Sequence, residues 1–187
     1  MNSIENIIYE EVKERCLSTN NAYGIGAWDH HIKLVYELAK DNAKSYGADE
    51  EIVAIAALLH DIASVTNKEF TEEHHIIGAE IAKELLMKEK YPKDKIKLIQ
   101  KCILNHRGSR LMDKGTPEEV CIADADAMAH FYSVPSLLSM VYREKNLSID
   151  EGAEFVKNKL NRSYKKLSDK GKDLVKEQYK AAKLLLK

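Results

Sequence analysis

The chain has few of the residues that make turns, with 8 glycines and 3 prolines among its 187 residues. This scarcity argues against an all-β protein, because a chain of many short strands needs a turn signal roughly every 8–12 residues. Cysteine is scarce too: Cys16, Cys102 and Cys121 are odd in number and form no CxxC pair. A disulfide framework and a structural zinc site are therefore disfavoured, and we expect three buried, reduced thiols.

Long apolar runs and an excess of one charge are also missing. No apolar run approaches the roughly 18 residues of a membrane span, and the N-terminal stretch is acidic and interrupted by charges, unlike a signal peptide. The 29 lysines and arginines nearly balance 30 aspartates and glutamates, for a formal net charge of −1. We therefore expect a cytoplasmic protein that binds neither a membrane nor nucleic acid.

Helical periodicity is present over nearly the whole length. No window shows convincing strand alternation, so the pattern favours one all-α domain, residues 1–187, built as a helical bundle. Asp29 is expected to cap the second helix and Gly47 to end it. The predicted helices cover 3–17, 29–46, 49–62, 71–90, 92–106, 118–131, one opened by Pro135, and two after Ser148 that divide near Lys170–Gly171.

The helix predicted over 49–62 is unusually apolar, so we expect it to be central and buried. Two polar residues end it, in the run Leu58-Leu59-His60-Asp61. Burying a carboxylate without a partner is costly. Two interpretations are therefore open: His60 and Asp61 emerge into solvent at the helix end, or another group compensates their burial.

Three further histidines lie on apolar helical stripes. His31, His74 and His106 each share a helical face with aliphatic residues three, four or seven positions away. A lone histidine in such a place is more often a satisfied core residue than a ligand. Three of them together with a buried His-Asp pair favour a common site.

Two aspartates interrupt another apolar helix, in the run VCIADADAMAHF (120–131). Asp124 and Asp126 are two residues apart and cannot point the same way. One can therefore reach solvent, whereas the other needs a cation. His130 lies one turn beyond Asp126 and either supports this carboxylate beside a metal or simply pairs with it.

These candidate ligands are imidazoles and carboxylates, with no thiolate among them. Such a set suits Mn, Fe, Zn, Co or Ni, whereas a site of carboxylates and waters alone would suit Mg better. A helical bundle can hold such ligands on several facing helices. We expect a divalent metal ion, with the choice among Mn, Fe, Ni, Co, Zn and Mg left open.

The order of these residues resembles the HD-domain superfamily of metal-dependent phosphohydrolases. The resemblance covers roughly residues 28–145 and leaves 146–187 as a C-terminal helical extension. Two departures from the family pattern are Ala63, where many members have glycine, and the run Ala127-Met128-Ala129, where relatives often carry Arg, Leu and Asp. Five segments resemble the family in order: HHIKLV (30–35), AALLHDIA (56–63), HHIIGAEIAKELL (74–86), ILNHRGSR (103–110) and EEVCIADADAMA (118–129).

The resemblance implies the site residues. Four metal ligands would be His31, His60, Asp61 and Asp126, with Asp126 preferred to Asp124. His74 and His106 match the extra histidines of members that hold two metals, in which Asp61 would bridge the ions. The neighbouring His30 and His75 are not expected to bind metal.

The function implied is hydrolysis of a phosphate ester or anhydride in a nucleotide or another small phosphorylated metabolite. His60 and Asp61 would be catalytic, with Asp61 both binding metal and orienting the attacking water. Arg107, Arg110 and Lys114, in the loop after His106, either bind the substrate phosphate or belong to a solvated connector. Two other classes are open: a di-iron HD-type oxygenase, and a non-catalytic sensor that binds a nucleotide.

The last forty residues lie outside the resemblance and show helical stripes with charged opposite faces. We expect them to form a packed cap on the bundle. The alternative is the surface of a homodimer. Tyr164 and Tyr179 suit either role.

Overall fold

A computed structural model of the protein describes residues 3–24, 26–107 and 115–186. The predicted all-α fold is confirmed: these residues form helices and no strand. The helices are α1 (Ser3–Cys16), α2 (Lys33–Tyr46), α3 (Glu50–Leu59), α4 (Ile62–Thr66), α5 (His74–Lys88), α6 (Lys93–Asn105), α7 (Pro117–Tyr132), α8 (Val134–Arg143), α9 (Ile149–Lys166), α10 (Asp169–Leu174) and α11 (Lys176–Leu185).

Local side-chain chemistry explains where several helices begin and end. Asp49 precedes α3 and its carboxylate accepts hydrogen bonds from two backbone N–H groups of the first turn. Ser148 and Glu151 cap each other's backbone N–H groups at the start of α9. Each such cap contributes about 1 kcal/mol. Gly47 ends α2 as predicted, in the left-handed conformation with φ of 72° that glycine adopts without strain.

The central position of α3 is also confirmed. Every residue from Ile52 to Leu59 is buried, and α1, α2, α6 and α7 pack against this helix. A second, smaller core joins α7 to the C-terminal helices and includes Phe131, Val156 and Leu160. The chain thus places α7 between two cores.

The helix predicted over 49–62 is interrupted in the structure. α3 stops at Leu59 and α4 starts at Ile62, so that His60 and Asp61 lie in the break between them. The backbone of Asp61 (φ −112°, ψ 18°) leaves the helical conformation. The break turns both side chains toward the other candidate ligands rather than toward solvent.

Three other predicted boundaries are wrong. Asp29 does not cap the second helix, because it lies inside a π-helical turn, Trp28–Ile32, that runs directly into α2. The helix predicted from Thr71 starts at His74 instead. The residues after Ser148 form three helices instead of two, because the Ser168 hydroxyl caps a separate short helix, α10.

The C-terminal helices pack onto the bundle, as a cap does. The rings of Tyr164 and Tyr179 stack with their centroids 3.9 Å apart, and both pack against Phe131 of α7. All three cysteines are free and buried, as predicted. None of the helices in the described ranges has the length and apolar character that crossing a membrane requires.

Candidate metal centre

Five separate parts of the fold carry the six candidate ligands. His31 lies in the π-helical turn before α2, and His60 and Asp61 lie in the break between α3 and α4. His74 is the first residue of α5, and His106 directly follows α6. Asp126 lies in the middle of α7. Four helix ends and the middle of α7, from distant parts of the chain, therefore converge on one point.

The first group of candidate ligands is His31, His60 and Asp126. Nε2 of His60 lies 3.2 Å from Nε2 of His31. Oδ1 of Asp126 lies 3.5 Å from Nε2 of His31 and 3.9 Å from Nε2 of His60. These ligand atoms all lie within 4.8 Å of one another, which is close enough to surround one ion.

The second group is Asp61, His74 and His106. The Nε2 atoms of His74 and His106 are 3.3 Å apart. Oδ1 of Asp61 lies 3.4 Å from Nε2 of His74 and 3.8 Å from Nε2 of His106. All three residues are buried.

The carboxylate of Asp61 lies between the two groups. Its Oδ1 faces the second group, whereas its Oδ2 lies 3.4 Å from Nε2 of His31 and 3.5 Å from Nε2 of His60. One carboxylate thus presents one oxygen to each set of imidazoles. This is the arrangement of a ligand that bridges two ions.

The tautomers of three histidines fit a metal site. Nδ1 of His60, His74 and His106 each lies 2.6–2.7 Å from a backbone carbonyl oxygen. A carbonyl can only accept, so Nδ1 carries the proton and Nε2 keeps its lone pair. The Nε2 lone pairs of His74 and His106 face each other at 3.3 Å and repel unless a cation lies between them. The donor set therefore fits divalent metal ions that bind imidazole and carboxylate.

The electrostatics favour metal-binding protonation states in three of the ligands, Asp61, Asp126 and His106. Burial raises the pKa of Asp61, but the imidazoles of His60 and His31 lower it more, so that it lies well below its ordinary value. The pKa of Asp126 is likewise held below its usual range, chiefly by His130 and His31 against the effect of burial. Burial, together with His60, lowers the pKa of His106 to about 4. Anionic carboxylates and neutral imidazoles are the forms that bind metal.

His130 lies directly behind the first group. Its ring stacks on that of His31, with centroids 5.6 Å apart and planes 12° from parallel. Its Nδ1 lies 3.0 Å from the Ser163 hydroxyl oxygen on α9. His130 thus supports this group from outside and is held by a C-terminal helix.

Asp124 has a different role from Asp126. It is fully buried, so the aspartate that reaches solvent in part is Asp126, the candidate ligand, and not Asp124. Its carboxylate accepts hydrogen bonds from the Tyr46 hydroxyl at 2.8 Å, from the backbone N–H of Ser168 at 3.0 Å, and from the Ser168 hydroxyl. These donors satisfy the buried charge without a cation.

Of the three predicted phosphate-binding residues, Arg107 lines the cavity at the site, and its Nη1 donates a hydrogen bond to the backbone oxygen of Glu72. Arg110 and Lys114 lie outside the described residues. The neighbouring His30 and His75 belong to neither ligand group.

A cavity of about 290 Å³ opens beside the ligands. Sequence reasoning missed three residues that line it: Tyr23, Lys159 and Lys166. The two lysines come from α9, in the part of the chain treated as a cap. Positions 159, 163 and 166 share one helical face, but the sequence does not show that this face borders the site. Burial and the negative charge of Asp61 raise the pKa of Tyr23 well above its ordinary value.

Comparison with known proteins agrees with this geometry. A family model of the HD domain matches residues 28–130. Because this match covers more than half of the chain, the protein belongs to the HD domain family. The matched range contains all six candidate ligands but neither Lys159 nor Lys166.

Individual relatives match this chain at about 30% identity and over only part of its length. Ribonuclease Y of Thermotoga petrophila is 32% identical over 113 residues, 60% of this chain but 20% of that protein. A protein of Clostridium beijerinckii is 31% identical over 86 residues, 43% of this chain and 55% of that protein. The chain therefore spans only part of these relatives.

Two solved structures share the fold. Bacillus subtilis YpgQ in complex with ADP has a TM-score of 0.67 at 19% identity, covering 94% of this chain and 90% of that chain. A predicted HD superfamily hydrolase from an uncultured Thermotogales bacterium has a TM-score of 0.59 at 23% identity, covering 83% and 84%. The fold likeness thus extends into the C-terminal helices, beyond the family match.

Proposed function

We propose that this protein is a metal-dependent phosphohydrolase that cleaves a phosphate ester or anhydride in a nucleotide or similarly small metabolite. The observation that carries the proposal is the position of Asp61, whose two carboxylate oxygens face two separate sets of imidazole Nε2 atoms. Membership of the HD domain family supports it.

Six residues would hold the metal. His31, His60 and Asp126 would bind one ion, His74 and His106 would bind a second, and Asp61 would be shared. A divalent ion in such a site lowers the pKa of a bound water and acts as a Lewis acid toward a phosphoryl oxygen.

The protein's own groups prepare this chemistry. The Nδ1–H groups of His60, His74 and His106 donate to backbone carbonyls and so fix the direction of each Nε2 lone pair. Asp61 is ionised and can accept a hydrogen bond from a water molecule in the cavity, which orients the water for attack on phosphorus. Arg107 at the cavity wall supplies positive charge for phosphoryl oxygens.

The relatives favour phosphate chemistry. YpgQ binds ADP, ribonuclease Y by its name cleaves RNA, and the Thermotogales protein is described as a hydrolase. The cavity of about 290 Å³ suits a nucleotide or a smaller phosphorylated molecule better than a folded RNA. These points support a small phosphorylated substrate.

The test is phosphate release by the purified full chain, loaded in turn with manganese, cobalt, nickel, iron, zinc or magnesium. The substrates are nucleoside mono-, di- and triphosphates, sugar phosphates and p-nitrophenyl phosphate. We expect Asp61→Asn to reduce the activity at least 100-fold, because it weakens the shared ligand. Asp41→Asn, at an exposed position on α2, is the matched control and keeps full activity.

Three results would contradict the proposal. Phosphatase activity that survives Asp61→Asn would exclude this mechanism. Substrate-dependent oxygen uptake by the iron form, without phosphate release, would indicate an oxygenase. Tight nucleotide binding without turnover under any metal would indicate a sensor.

A further inference from the structure

Helix α9 forms one wall of the cavity, although it lies beyond the part of the chain that matches the family model. Lys159, Ser163 and Lys166 are four and seven residues apart, so they share one face of the helix. Ser163 contacts His130, and both lysines line the cavity. This face of α9 is therefore directed at the metal centre.

Lys159 lacks a partner for its charge within the described residues. Its side chain is half-buried and forms no hydrogen bond or ion pair with any group in ranges 3–24, 26–107 and 115–186. Its neighbour Lys166, in contrast, donates a hydrogen bond to the backbone oxygen of Arg107 at 2.9 Å. Removing an ammonium group from water without an acceptor is costly, so this position favours an anionic partner.

The position of Lys159 relative to the ligands is also defined. Burial lowers the pKa of Lys159, whereas the carboxylates of Asp126 and Asp61 raise it, so its ammonium group lies within the field of both. Neither carboxylate accepts a hydrogen bond from Lys159. The ammonium group is therefore available to an anionic group that enters the cavity.

The cationic side chains on the described cavity wall outnumber its two carboxylates, Asp61 and Asp126. The described wall includes three lysines or arginines, and two of them, Lys159 and Lys166, come from α9. Anionic oxygens are the ligands that satisfy ammonium groups best, through charge-assisted hydrogen bonds. An incoming phosphate would meet the metal ligands on one side and α9 on the other.

We propose that Lys159 contacts the non-bridging oxygens of the substrate phosphate, with Lys166 on the same wall, so that the C-terminal extension supplies a substrate-binding residue to the HD domain. This inference rests on the proposed function, because it assigns a contact for the phosphorylated substrate at the same site. It assigns no role to the metal ligands beyond those given above.

The experiment measures binding of inorganic phosphate to the full chain loaded with manganese, by isothermal titration calorimetry. The variant Lys159→Met removes the charge and keeps nearly the same length and apolar stem. We expect phosphate to bind this variant about 10- to 100-fold more weakly, as expected for loss of a hydrogen bond to a charged group. Manganese content stays at the wild-type value, because no ligand is changed.

Two further variants sharpen the result. Lys159→Arg keeps the charge and is expected to recover most of the affinity. Lys165→Met, at an exposed position on the same helix, removes an equal charge and is expected to change the affinity less than twofold. Thermal unfolding of each variant checks that it is folded, and Lys159→Gln, which also removes the charge, replaces Lys159→Met should that variant unfold.

The outcomes separate this inference from the proposed function. Equal phosphate affinity of the Lys159→Met and wild-type proteins overturns the inference while phosphatase activity, if present, still supports a hydrolase. Equal weakening by Lys165→Met also overturns it, because the effect would then be one of net charge. Loss of phosphate binding in Lys159→Met alone supports it, even where the wild-type protein hydrolyses no phosphate ester tested. Failure of wild-type protein to bind phosphate overturns it whatever other substrate is hydrolysed.

Discussion

The hydroxyl oxygen of Ser163 lies 3.0 Å from Nδ1 of His130, and this contact joins α9 to the helix that carries Asp126. His130 in turn stacks on His31 of the first ligand group. Ser163, which lies outside the family-matched range, thus orients His130, and the ring of His130 stacks on the candidate ligand His31. The metal centre and the C-terminal helices are therefore one structural unit.

Replacing Ser163 with alanine should weaken metal binding. Without the hydroxyl, His130 loses its hydrogen-bond partner and the stack on His31 loosens. Loss of a group that supports a ligand typically lowers metal affinity or activity about 10- to 100-fold. We expect a loss of affinity near 10-fold, because His130 contacts His31 by ring stacking and not by a hydrogen bond. Titration of manganese against a fluorescent chelator measures it. Ser139→Ala, at an exposed position on α8, is the control, and equal affinities of both variants would contradict the prediction.

Asp124 and Asp126 should respond oppositely to the same change. Asp124→Asn weakens hydrogen bonds from Tyr46 and Ser168 to a buried charge, so it should destabilise the fold by about 1.5–3 kcal/mol and leave the metal content unchanged. Asp126→Asn should reduce the metal content with a smaller loss of stability in the metal-free protein. Urea unfolding and elemental analysis of both variants check this. Metal loss in folded Asp124→Asn would show that we have assigned the ligand to the wrong aspartate.

His74 should control the second ion selectively. His74→Ala removes an imidazole from the group of Asp61 and His106 but leaves His31, His60 and Asp126 in place. We expect the metal content to fall from two ions per chain to one. His75→Ala is the matched control, since it changes the adjacent histidine and should keep both ions. A wild-type protein with a single ion would rule out the second group as a metal site.

Removing the metal should lower the unfolding temperature. The six ligands lie between residues 31 and 126, in five parts of the fold. Only the native state brings them together, so an ion at this site binds the native state and not the unfolded chain. Such binding stabilises the native state by mass action, and the effect grows with metal concentration. Differential scanning calorimetry with a chelator and with increasing manganese measures this. An unfolding temperature that does not depend on manganese would contradict metal binding at this site.

The three cysteines should be unreactive in the native protein. Burial raises the pKa of Cys16 and Cys121 to about 12, and it raises the pKa of Cys102 as well. At pH 8 the reactive thiolate is then roughly one part in ten thousand for a thiol with a pKa of 12. We expect fewer than one thiol per chain to react with Ellman's reagent at pH 8, and three in denaturant. Rapid reaction in the native state would show that the reagent reaches these thiols and that they are not buried.

The sequence predicts the all-α fold and the central helix well, because apolar spacing records which helix faces are buried. His31, His60 and Asp61 could be named because residue types and order resemble a known family. The break at His60 and Asp61 could not be predicted, since the local pattern favours a continuous helix and packing overrides it.

Asp124 and Lys159 show what local patterns leave out. The partners of Asp124 are 78 and 44 residues away, at Tyr46 and Ser168, so no nearby residue indicated that its charge was satisfied. Lys159 is one of many lysines on an amphipathic helix, and only the tertiary fold distinguishes it from the exposed Lys165. In both cases the environment depends on contacts between distant segments.

All the candidate metal ligands precede residue 130, whereas two of the cations on the described cavity wall follow it. On the proposed function, the metal ligands and the residues that contact substrate lie in different stretches of the chain. A C-terminal helix can acquire new side chains at positions 159 and 166 without disturbing a single ligand. Substrate preference can therefore diverge among proteins with this architecture while the chemistry stays constant.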